Sequence, residues 1–147
     1  MSAFSWRGRP RLTWLVAVVL LVALDQLSKA WFASTIALGS AIEVTPWFNL
    51  VHVLNTGAAF SLLADASGWQ RPFFIVIGVI VVVPCTLLGL ARHVEPLERL
   101  AGALIVAGGS GNLIDRIANG AVTDFLDLHW RGLHWPAFHL ADVFIVL

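Results

Sequence analysis

Apolar residues in this chain gather into long unbroken runs, and four of them can be bounded. The first goes from Leu12 to about Phe32 and is interrupted in its second half by Asp25 and Lys29. The second, from Pro72 to Ala91, is almost entirely Ile, Val and Leu. The third extends from Leu97 to about Ile117 and turns glycine-rich and polar at its far end. The fourth begins near Pro136 and is still apolar at Leu147. A helix needs about 20 residues to cross the hydrocarbon core of a bilayer. The pattern therefore predicts spans over 12–32, 72–91, 97–117 and 136–147, the last read as cut short within a naturally longer chain. Arg7, Arg9 and Arg11 followed by an apolar run also fit a cleaved signal peptide. Asp25 and Lys29 stand where its small neutral cleavage region would be, so the run is kept as a helix.

Composition strengthens the membrane reading. Of 147 residues, 59% are hydrophobic and 12% charged, more apolar surface than a soluble domain of this size needs. Net charge is zero, which gives no footprint for a nucleic-acid partner. The single cysteine, Cys85, lies inside an apolar run and reads as a small buried hydrophobe. No internal repeat appears, so residues 1–147 read as one membrane-embedded domain.

Basic residues set the orientation. Arg7, Arg9 and Arg11 precede the first run and Arg92 and Arg99 flank the short link between the second and third, whereas 33–70 holds no Lys or Arg. Both termini are expected in the cytoplasm and the long loops outside. Within the first loop, Pro46 to Asn55 is rich in β-formers and partly alternates, which suggests a short strand or two on the membrane surface. Trp47, Trp69, Trp130 and Trp135 fit an aromatic belt.

With that orientation the acids fall in one layer near the outer boundary. Between Gly108 and Asp142 lie Asp115, Asp124, Asp127 and Asp142, and Asp25 lies on the outer side of the first span. Ionisable groups at membrane depth are costly and mark sites. Two carboxylates about 3 Å apart share a proton, so one can deprotonate water while the other polarises a carbonyl. No Ser-x-x-Lys, Gly-x-Ser-x-Gly or suitably placed cysteine competes as nucleophile. His129, His134 and His139 lie near the acids without His-Glu-x-x-His spacing, so neither a metal nor a cofactor is expected.

Plainer readings stand beside these. Gly108, Gly109 and Gly111 could simply allow close helix packing. Asp115 could pair with Arg116, Asp25 with Lys29 four residues on, and Asn55-Thr56-Gly57 could cap a helix beginning at Ala58. Asp127 reads as a solvated loop acid. Asp124, placed in the loop joining the last two spans, and Asp142 have no neighbouring cation in sequence.

Five blocks carry a family resemblance: Asp25-Gln26-Leu27-Ser28-Lys29, Asn55 to Phe60, Gly108 to Arg116, Val122-Thr123-Asp124-Phe125, and Pro136 to Asp142. In that order, on a four-span chain, they resemble the lipoprotein signal peptidases (type II signal peptidases) of bacteria. The resemblance implies an all-α integral membrane protein with four transmembrane helices, a small periplasmic β-cradle and an extracytoplasmic loop or helix. It implies an aspartic endopeptidase of the cytoplasmic (inner) membrane, working near the periplasmic face with Asp124 and Asp142 as catalytic pair. The implied partners are membrane lipid and a diacylglyceryl-prolipoprotein, cut just before its lipidated cysteine, with the enzyme a monomer. Asp25, Lys29, Asn55, Gly108, Asn112, Asp115, Arg116, His139 and Ala141 would support the site or the substrate.

One position departs from the family. His139 stands where an Asn is usual, three residues before Asp142, and a titrating ring there should shift the pH profile. The rival readings are a small proton- or ion-coupled transporter that uses Asp25, Asp115 and Asp142 as relays, and a purely structural four-helix protein. The polar cluster argues against the second. Acids confined to one depth argue against the first.

Overall fold

The computed structural model describes residues 10–57, 68–91 and 93–147. Arg7, Arg9, Arg92 and the helix expected to begin at Ala58 lie outside the described residues. The elements, in chain order, are α1 (Pro10–Thr35), β1 (Ala41–Thr45), β2 (Phe48–Asn55), α2 (Gln70–Gly89), α3 (Pro96–Ala118), β3 (Val122–Trp130), β4 (Leu133–His134) and α4 (Leu140–Val146).

The first three helices coincide with the first three apolar runs to within three residues. α3 starts on a reciprocal cap in which Glu95 and Glu98 satisfy each other's backbone N–H groups, with Pro96 at the first helical position. It ends where Arg71 donates to the carbonyls of Arg116 and Ile117 at 2.9 and 2.8 Å, the favourable charge for a helix C-terminus. α1, α3 and α4 share a core of Trp14, Val18, Ala103, Val106, Ala107 and Phe144. α2 packs on another side of α3 and leaves Val76, Ile80, Val83, Leu87 and Leu88 exposed, a surface suited to lipid.

Among the described residues two helices, α1 and α2, are long and apolar enough to cross a membrane. α3 has the length, but Glu98, Arg99, Asp115 and Arg116 lie along it.

The fourth run corrects the expectation of a helix from Pro136. There, Phe138 pairs with β3: its carbonyl accepts from the N–H groups of Phe125 and Leu126 at 3.1 and 2.9 Å, and its N–H donates to Leu126 at 3.0 Å. A backbone engaged in that bridge cannot also be helical, so α4 begins at Leu140.

The segment expected to be a loop around Asp124 is a nine-residue strand, β3. It completes a four-stranded antiparallel sheet in the order β1-β2-β3-β4, larger than the strand or two the sequence suggested. Across β2 and β3, Asn55 faces Val122, Val53 faces Asp124 and Asn49 faces Asp127, with a bulge between Leu50 and Val53. Phe125 on β3 is buried and stacks on Phe32 of α1, with centroids 4.2 Å apart and planes at 14°. That stack fixes the sheet against the C-terminal half of α1, beside the polar end of α3.

Candidate active site

Asp25 organises the helical half of the site. It is fully buried, and its Oδ2 receives the Lys29 ammonium at 2.7 Å, one turn along the same helix. Its Oδ1 accepts the backbone N–H of Ala141 at 3.0 Å. Ala141 lies in the first turn of α4, where backbone N–H groups have no partner within the helix. A carboxylate on α1 therefore caps α4.

Lys29 carries a second contact that corrects the expected Asp115–Arg116 pair. Its ammonium lies 2.6 Å from Asp115 Oδ2, a buried ion pair between α1 and α3. Neighbouring residues of a helix do not face each other, whereas Lys29 reaches across from α1. Gln26 completes the group, with Nε2 3.1 Å from Asp115 Oδ1 and 3.3 Å from the Gly111 carbonyl. The sequence left Gln26 without a role; its signal was a polar side chain beside Asp25 in an apolar run.

Small residues make this approach possible. A Cβ at Gly108 would meet the Ala141 carbonyl at 2.5 Å, and one at Gly111 would overlap the Asp25 carboxylate. Gly109 instead faces α2, where an added Cβ would lie 2.7 Å from Val82. The glycines thus allow close packing and, in doing so, shape the site.

The sheet supplies Asp124, which is buried on β3. Asn55, at the end of β2, donates to Asp124 Oδ2 at 3.0 Å while its own Oδ1 accepts the Gly57 N–H at 3.0 Å. Arg116 donates to the Gly57 carbonyl at 2.9 Å, and its guanidinium lies over the Phe74 ring, 5.0 Å from the centroid. Asn55 and Arg116 so hold the same turn from two sides.

His139 joins the two halves. It is the extended residue just before α4, with φ −142°. Its Nδ1 lies 2.7 Å from Asp124 Oδ1 and 2.9 Å from Asp142 Oδ2. Its Nε2 lies 2.7 Å from Asn112 Oδ1. With carboxylate oxygens at one ring nitrogen and an amide oxygen at the other, the geometry suits a ring that donates from both nitrogens. Burial works to lower its pKa, and the hydrogen bonds to Asp124 and Asp142 outweigh burial, so the pKa rises above the ordinary histidine value. An oxygen of Asp124, an oxygen of Asp142 and a nitrogen of His139 all lie within 4.8 Å of one another, close enough for one water to touch both acids.

A family model described as signal peptidase (SPase) II matches residues 17–147. The chain belongs to the signal peptidase II family. A lipoprotein signal peptidase of Serratia marcescens is 51% identical over 131 residues, covering 87% of this chain and 75% of the relative. One from Tolumonas auensis is 45% identical over 150 residues, covering 99% and 88%. A solved bacterial membrane enzyme superposes with a TM-score of 0.79 at 31% identity, over 91% of this chain and 80% of its own. A second gives 0.77 at 30% identity, over 91% and 85%. The protein is therefore a membrane aspartic peptidase of the type that cleaves signal peptides.

In this signal peptidase II chain a cavity of about 600 Å³ opens on the site. Asn55, Asn112, Arg116, His139 and Asp142 form its polar end, and apolar residues such as Leu128, Trp135, Val143 and Ile145 line the rest. The Asp142 side chain is 41% exposed and Asp124 only 3%, so the cavity meets the pair through Asp142. Asp127 is not the solvated loop acid the sequence suggested. It is buried on β3, accepts from Asn49 at 2.9 Å and contacts His134 Nδ1 at 2.9 Å.

Proposed function

We propose that Asp124 and Asp142 are the catalytic pair of this signal peptidase, acting on diacylglyceryl-modified prolipoproteins just before the lipidated cysteine. The observation that carries the reading is the single ring nitrogen of His139 held between the two carboxylates. One proton then serves three groups: two carboxylates and the ring between them. An ionised carboxylate takes a proton from water as the water oxygen bonds to the scissile carbonyl carbon. The proton held by His139 passes to the other acid, which donates it to the developing oxyanion. When the C–N bond breaks, the oxyanion returns its proton as the carbonyl re-forms, and the proton taken from water goes to the leaving nitrogen.

Asp25, Lys29 and Asp115 hold α4 at its depth, with Gly108 and Ala141 as the close contact. Asn55, Asn112 and Arg116 orient the acids and the turn after β2. The apolar flank of the cavity suits the acyl chains of a lipidated substrate, and its polar end suits the peptide.

This reading places the enzyme in the bacterial inner membrane as a monomer. α1, α2 and α3 cross the bilayer and α4 enters it from the periplasmic side. The start of α1 and the α2–α3 link then face the cytoplasm, next to Arg99, and the sheet lies on the periplasmic surface with Trp47, Trp130 and Trp135 exposed. Asp124→Asn and Asp142→Asn should each reduce cleavage of a lipid-modified prolipoprotein, followed by gel shift, by at least about 10³-fold. Near-normal processing by either variant would refute the pair.

A further inference from the structure

The β3–β4 hairpin builds a second cluster with chemistry of its own. Its turn is two residues, Arg131 and Gly132, with φ of 51° and 82°. Positive φ at both central positions is what a type I′ hairpin turn requires. This turn sets His129 directly opposite His134, with ring centroids 4.9 Å apart and planes within 18°. Asp127 lies two residues before His129, hence on the same face of β3.

Donor atoms from all three converge. His134 Nδ1 is 2.9 and 3.1 Å from the two Asp127 oxygens, and His129 Nδ1 is 3.8 Å from Asp127 Oδ2. One atom from each residue lies within 4.8 Å of the others. His129 Nδ1 is buried and has no hydrogen-bond partner, a costly state for a polar atom. Asn49 on β2 donates to Asp127 Oδ2 at 2.9 Å, the kind of outer contact that orients a ligating carboxylate.

We propose that Asp127, His129 and His134 form a binding site for a divalent transition-metal ion of the zinc class. Two imidazoles and one carboxylate suit zinc, nickel or copper and disfavour magnesium and calcium, which prefer oxygen. The ion would bring the orphaned His129 nitrogen into its coordination shell. A half-exposed His134 beside an open pocket formed with Trp47, Trp130 and Leu133 leaves room for water as a further ligand. The site is separate from the catalytic pair, yet Leu128 and Trp135 line both this pocket and the substrate cavity. A bound ion would therefore stiffen the cavity rim.

The test uses the full chain in detergent, without a polyhistidine tag, titrated with Zn²⁺ alone by calorimetry and followed by thermal unfolding. One equivalent should bind and raise Tm. His129→Gln and His134→Gln should each weaken binding by at least about tenfold, while His139→Asn binds as the parent does. Asp127→Asn should weaken binding likewise, and retained prolipoprotein cleavage shows that the Asp127, His129 and His134 variants are folded. Absence of binding up to about 1 mM Zn²⁺ would overturn the proposal and leave the cluster as a hairpin staple only. Unaltered binding by both hairpin histidine variants, or its loss in His139→Asn, would overturn it equally.

Discussion

Asp25 Oδ1 and the Ala141 N–H, 116 residues apart in the chain, form a buried hydrogen bond of 3.0 Å. Through it, α1 fixes the start of the helix that carries Asp142. Asp25→Ala should remove both this cap and one partner of Lys29. Caps are worth about 1 kcal/mol, and breaking a buried ion pair costs about 3–5 kcal/mol. A clear fall in Tm is expected, with loss of cleavage, whereas Asp25→Asn keeps an acceptor and should lose less. Equal Tm values for the two variants would show that the cap contributes nothing.

Lys29 is the cation between two buried carboxylates, at 2.7 Å from Asp25 and 2.6 Å from Asp115. Lys29→Met leaves both acids without their counter-charge and should destabilise by about 3–5 kcal/mol. Adding Asp115→Asn removes one of the stranded charges, so the double variant should melt above the single one. Additive losses of Tm would mean that the two residues do not interact.

The raised pKa of His139 ties stability to pH. Its folded-state pKa lies above the unfolded value of about 6.5. The stabilisation is therefore complete below that value and is lost as pH rises through the folded pKa. Melting temperature should fall over that alkaline interval in the parent, and the fall should be shallower in His139→Asn. The same substitution should preserve cleavage and move its pH dependence, because the proton shared by the three groups then resides on the acids alone. Superimposable pH–Tm curves for parent and variant would remove the ring from this account.

Gly108 faces the backbone of Ala141, where a Cβ would lie 2.5 Å from the carbonyl oxygen and 2.7 Å from an Ile145 methylene carbon. A carbonyl cannot swing aside as a flexible side chain can, so Gly108→Ala must push α4 outward. Overpacking of this kind costs about 1–3 kcal/mol, and a displacement of about 1 Å at a catalytic group can cost about 10²-fold in rate. Cleavage should fall much more than Tm does. Parent-like activity in Gly108→Ala would show that α4 tolerates the shift.

The sequence made the long helices legible because apolar runs of that length have few alternatives: 12–32, 72–91 and 97–117 correspond to Pro10–Thr35, Gln70–Gly89 and Pro96–Ala118. It also marked Asp25, His139 and the glycines as exceptional. β3 escaped because acids at Asp124 and Asp127 interrupt the alternation that signals a strand. Those two acids are partnered from other elements, Asp124 by Asn55 and His139 and Asp127 by Asn49 and His134. Such partners are invisible along the chain. The same limit produced the mistaken Asp115–Arg116 pair, since adjacency in sequence is not adjacency on a helix. The start of α4 was misplaced because Phe138 is apolar like a span residue while its backbone belongs to the sheet.

The bridge at Phe138 acts as a ruler. It ties Phe138 to Leu126 of β3, His139 follows at once, and Asp142 stands in the first turn of the helix that begins at Leu140. Each helical residue turns about 100° and rises 1.5 Å, so one residue inserted after Leu140 would swing Asp142 to another face of α4 while the sheet stayed in place. Length between these two landmarks is thus under tighter constraint than side-chain identity. Insertions and deletions should be far better accepted in the β1–β2 turn than anywhere from Phe138 to Asp142.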